Sequence, residues 1–138
     1  MIKQIQEFAI FGVTTLSDKK LESDKQTSKI FPLWKDFHRV FGAPDEIYSV
    51  YYDYKDLEFK IGVGVKNPCQ NAEKILIKSG SYMVFEDFGQ PEIIVPKIWS
   101  KIETFFKNSD IKRAFLTDFE FYTSSKTQIY ISIKDNQC

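Results

Sequence analysis

The sequence predicts an α+β fold: two duplicated β-α-β-β units about a pseudo-twofold axis, mainly antiparallel, with a ligand groove between the halves. Three observations carry this. Hydrophobic periodicity reads as strand, helix and hairpin, and then the same order again. Each half places an aspartate 19 residues after a helix tryptophan, Trp34 to Asp53 and Trp99 to Asp118. Superposing the tryptophans sets Phe37 on Ile102, Phe41 on Phe106 and Tyr54 on Phe119. Such internal similarity is the first pattern to test in any chain. The expected repeat covers about residues 5–66 and 73–134 of a single domain, 1–138.

The elements follow in order. Phe8 to Thr15 is apolar and β-branched, hence a strand. Leu16 to Ser28 is polar and lacks strong periodicity, and reads as a mobile loop with room for a helical turn. From Lys29 to Phe41, Ile30, Leu33, Trp34, Phe37 and Phe41 recur at helical spacing. Pro32 is tolerated in the first turn, and Gly42-Ala43-Pro44 stops the helix. Ile47 to Tyr54 and the alternating Phe59 to Val65 form a hairpin, with Gly62 and Gly64 leaving space on one face. Glu73 to Ile77 and Gly80 to Asp87 are strands. Ile94, Ile98, Trp99, Ile102, Phe105 and Phe106 mark a second helix from Glu92 to Lys107. Phe115 to Tyr122 and Thr127 to Ile133 close the second half.

Composition narrows the function. Nineteen basic residues balance nineteen acidic ones, which argues against non-specific nucleic-acid binding. No apolar run is long enough to span a membrane, and no signal peptide precedes Phe8, so a cytoplasmic protein is expected. Cys69 and Cys138 make no disulfide framework. With His38 as the one histidine, a metal centre and a nucleophile–histidine pair are both disfavoured, and His38 reads as an ordinary helix residue. No glycine-rich phosphate loop is present, and no cofactor is expected. Aromatic residues reach 16% of the chain, enough to line a cavity as well as a core.

Strand alternation sets Phe119 and Phe121 on one face, assigned to the helix-covered core, and Asp118, Glu120 and Tyr122 on the other. In the first half Tyr51 and Asp53 share the equivalent face, opposite Tyr52 and Tyr54. Glu120 then has two readings. It is a solvated carboxylate on an outer sheet face, or the counter-charge in an aromatic site for an organic cation.

The strings Phe31-Pro32-Leu33-Trp34-Lys35-Asp36-Phe37, Tyr48-Ser49-Val50-Tyr51-Tyr52-Asp53-Tyr54, Gly80-Ser81-Tyr82-Met83-Val84-Phe85 and Asp118-Phe119-Glu120-Phe121-Tyr122 occur in that order. Together they resemble the GyrI-like effector-binding domains, the ligand-binding modules of some AraC- and MerR-type regulators, also found free-standing. The resemblance runs from about Phe8 to Ile133, and Trp99 sits at the usual helix tryptophan. It implies the duplicated, SHS2-like fold and an acidic groove floor at Glu120. Around it, Trp34, Tyr51, Tyr82, Trp99 and Tyr122 are expected as ligand-binding walls. Leu16 to Ser28 departs from the family pattern in being lysine-rich. No DNA-binding segment is expected ahead of Phe8, so any regulation would act through a separate partner.

Three functions follow from the resemblance. The first is non-catalytic capture of a hydrophobic, cationic small molecule. The second is a protein-binding module of the gyrase-inhibitor kind, with DNA gyrase as partner. The third is hydrolysis of cyclopropane-type toxins, with Glu120 activating water.

Overall fold

The computed structural model describes residues 1–135; Cys138 lies outside them. The strands are β1 (Ile2–Ile5), β2 (Phe8–Asp18), β3 (Ile47–Lys55), β4 (Glu58–Val65), β5 (Glu73–Ile77), β6 (Gly80–Phe88), β7 (Arg113–Tyr122) and β8 (Lys126–Ile133). The helices are α1 (Lys19–Glu22), α2 (Ile30–Phe41) and α3 (Pro91–Lys107). All eight strands form one sheet in the order β1-β6-β8-β7-β3-β4-β2-β5, with antiparallel pairing throughout. The α+β architecture is therefore as predicted.

The two halves meet at the β3–β7 ladder, where Ser49 faces Glu120 and Tyr51 faces Asp118. Outward from this seam the order is β4, β2 and β5 on one side, and β8, β6 and β1 on the other. Each half has thus handed its leading strand to its neighbour: β1 pairs with β6, and β5 with β2. The four-residue β1 carries no apolar run, so periodicity gave no hint of it.

Helices cover only one face. On it, Leu33 and Phe37 of α2 pack on Ile47, Phe59, Ile61 and Val63, while Ile94, Ile98 and Ile102 of α3 pack on Ile129 and Ile131. α2 ends at Gly42, whose φ of 73° suits glycine and whose amide donates to the His38 carbonyl. The other face buries Ile10, Tyr48, Val50, Ile75, Ile77, Tyr82, Val84, Phe119 and Tyr130, which come from both ends of the sheet. The sheet curls until its own strands close this second core. Phe119 stacks on Tyr130 at 4.4 Å.

This corrects the assignment of Phe119 and Phe121. They belong to the curled core, and the face carrying Asp118, Glu120 and Tyr122 is the one under the helices. Two further departures have local causes. Leu16 to Asp18 extend β2 along β4, where a loop was expected, and Lys19 to Glu22 form the helical turn for which that reading left room. The segment's residues satisfy a ladder and a cap, with Asp18 accepting from the Leu21 amide at 2.7 Å. At Asp53 the ladder slips and φ is +49°, which turns Tyr54 onto the face of Tyr51 and sends Asp53 outward to Lys60. The space beside Gly62 and Gly64 is taken by the protein itself: a Cβ would lie 2.2 Å from the Ile75 side chain and 2.5 Å from the Phe11 carbonyl oxygen.

Candidate functional site

Where α2 and α3 straddle the β3–β7 seam they leave an open cleft of about 970 Å³. Ile30, Trp34 and His38 of α2 form one wall, and Val95, Pro96 and Trp99 of α3 the other. The floor is Tyr51, Glu120 and Tyr122. The tryptophans cross the seam: Trp34 meets Tyr122 edge-on at 5.3 Å, and Trp99 meets Tyr51 edge-on at 6.0 Å. Each helix of one half therefore braces a tyrosine of the other, a contact geometry favourable for aromatic pairs.

Glu120 is only 4% exposed. Its carboxylate accepts from Trp99 Nε1 at 2.7 Å, from Tyr122 Oη at 2.5 Å and from Tyr51 Oη at 3.5 Å. All three donors are neutral, and none of the ion pairs among the described residues includes Glu120. Burial pushes its carboxyl above the usual range, against the opposing pull of the three hydrogen bonds. Burial and the Glu120 charge push both phenols well up, so Tyr51 and Tyr122 remain donors at neutral pH. The floor is thus a buried carboxyl held by hydrogen bonds from neutral donors and in no ion pair.

Of the residues predicted from sequence, Glu120, Trp34, Tyr51, Trp99 and Tyr122 meet in this cleft. Tyr82 does not. It lies on the opposite face in the curled core, donating to the Lys78 carbonyl at 2.6 Å and paired with Thr117 Oγ1. β6 alternates, and the residue that faces the helices is Phe85 rather than Tyr82. Glu120 is no solvated carboxylate, since α2 and α3 cover its face. Sequence reading missed Glu22, Lys25 and Ser28, which line the cleft from the segment read as a loop. Glu22 is fastened there by the hydroxyls of Ser17 and Ser28 and by the Lys29 amide at 2.8 Å. No periodicity marks such a knot. His38 stands at the cleft wall with Nδ1 2.7 Å from the Gly42 carbonyl oxygen. Among the described residues no cluster of three or more potential metal ligands exists, and no helix is long and apolar enough to cross a membrane.

The curled, mainly antiparallel eight-stranded sheet with its helices is the fold of the GyrI-like effector-binding class. Residues 1–133 match the family model of Cass2, integron-associated effector binding protein, and the chain belongs to that family. It is similar to the integron cassette protein VCH_CASS2 from the mobile metagenome of Vibrio cholerae. The two share 25% identity and a TM-score of 0.88, over 97% of this chain and 95% of that one. SAV2435, solved bound to tetraphenylphosphonium, shares the fold at 14% identity and a TM-score of 0.76, over 97% and 93% of the chains. A protein of Staphylococcus aureus MU50 named for bacterial transcription regulation does so at 15% identity and a TM-score of 0.79, over 98% and 97%. No curated protein matches the chain.

Proposed function

We propose that the protein binds a hydrophobic organic cation in the α2–α3 cleft without chemical turnover. Glu120 supplies the counter-charge, and Trp34, Trp99, Tyr51 and Tyr122 supply the walls. One observation carries the reading: a 4%-exposed carboxylate with no counter-ion forms the floor of an aromatic cleft. A buried charge in this state is unfavourable until a cation joins it, and aromatic faces add cation–π attraction. The cationic ligand of SAV2435, a relative in fold, supports the same chemistry. Three donors already hold the Glu120 oxygens, which suits a fixed counter-charge better than a base that must take a proton from water.

Calorimetric titration with tetraphenylphosphonium tests this, with triphenylphosphine oxide as the neutral partner. Glu120→Gln should weaken the cation by about 10- to 150-fold, the size of a unit-charge attraction across roughly 6–10 Å at an effective dielectric of about 20, and leave the neutral ligand nearly unchanged. Equal losses for both would overturn the reading.

A further inference from the structure

We infer that the cleft selects among organic cations by hydrogen-bonding capacity, favouring those with no N–H to donate, and that the Tyr122 hydroxyl sets this preference. The inference rests on the proposed cation site and deepens it.

A carboxylate offers about four lone-pair positions. On Glu120, Oε2 already accepts from Trp99 and Tyr51, and Oε1 from Tyr122. The remaining position lies on a side chain that is almost wholly buried. A primary ammonium entering the cleft loses water from three donors and finds the acid's acceptor capacity largely taken. One position on Oε1 is left for three N–H donors, so pairing a second means displacing the Tyr122 hydroxyl and taking away its acceptor. A quaternary ammonium or phosphonium makes no such demand. It needs only proximity to the charge and contact with the ring faces of Trp34 and Trp99, both of which line the cleft. Tyr122 is also held from behind, its ring edge-on to Trp34, so the hydroxyl is not free to swing away from Oε1. The floor therefore offers charge with little spare acceptor capacity on Glu120 itself.

Four ligands on one skeleton separate the effects: (1-naphthylmethyl)trimethylammonium, 1-naphthylmethylammonium, and their neutral carbon isosteres 1-neopentylnaphthalene and 1-ethylnaphthalene. The neutral pair measures what the three added methyl groups contribute by contact alone. In the wild type the quaternary-to-primary affinity ratio should exceed the neopentyl-to-ethyl ratio by about tenfold or more, one hydrogen bond to a charged group. Tyr122→Phe vacates Oε1 and should collapse that excess by improving the primary ammonium, with the neutral ratio unmoved. An excess that survives Tyr122→Phe would overturn the role of Tyr122, because the ammonium's own hydration would then explain it. Equal cationic and neutral ratios in the wild type, with both cations still tighter than their isosteres, would overturn the selectivity and leave the cation site standing. Cations no tighter than their isosteres would overturn the cation site itself, and the selectivity with it.

Discussion

Two acids two residues apart on β7 share the helix-covered face and are both buried, yet the chain treats them differently. Asp118 is fully buried and compensated: Arg113 lies 2.7 Å away, Tyr54 Oη donates at 2.6 Å, and the Ser132 amide donates at 2.8 Å. Glu120 receives three neutral donors and no cation. Asp118 ties β3, β7 and β8 together and does not line the α2–α3 cleft. Glu120 lines the open α2–α3 cleft. The difference separates a carboxylate buried with its counter-ion from one buried without one beside open space.

The comparison breaks most sharply through Asp118. Asp118→Asn leaves Arg113 against a neutral amide, and breaking a buried pair typically costs about 3–5 kcal/mol. Denaturant unfolding should show a loss of that size. A loss as small as that of an exposed pair would mean the two acids are alike.

Glu120→Gln should act in the opposite direction, with a sign that depends on pH. The folded state raises the Glu120 pKa, so below its unfolded value the group imposes no penalty. As pH rises through the window between the unfolded and folded values, the native state binds the proton more tightly and stability falls. Unfolding free energy of the wild type, relative to Glu120→Gln, should therefore decline across that window and stay lower above it. Ligand-free protein followed by urea titration at a series of pH values checks this, and a rise across the window would contradict it.

The smallest effect belongs to a third acid. Asp53 pairs with Lys60 at 3.4 Å with both side chains more than half exposed. Lys60→Ala should change stability by no more than about 1 kcal/mol, the range of surface pairs. A larger loss in the same unfolding assay would show that exposure fails to rank these carboxylates.

Much of this was legible in the sequence, for physical reasons. α2 and α3 announce themselves because burying one stripe of a helix forces apolar spacing, and β4 and β8 do so by alternation. Strand alternation puts Glu120 and Tyr122 on one face, but only the family resemblance brings Trp34, Tyr51 and Trp99 to them, since alternation alone set the helices on the opposite face. Tyr82 failed because alternation gives two faces but does not say which one the helices cover, and a curled sheet buries both. Tyr54 failed because a single slip at Asp53 reverses the face of every residue beyond it. The Glu22 knot and β1 were illegible since both are held by hydrogen bonds from polar residues to partners remote in pattern.

If Glu120 is the counter-charge for a bound cation, its own titration must respond to that cation. The carboxyl carbon of Glu120 can be followed by NMR across the acidic range, in free protein and in protein saturated with tetraphenylphosphonium. The midpoint should lie above the ordinary carboxylate value in the free protein and fall clearly when the cation is bound. The same midpoint in both samples would contradict that role.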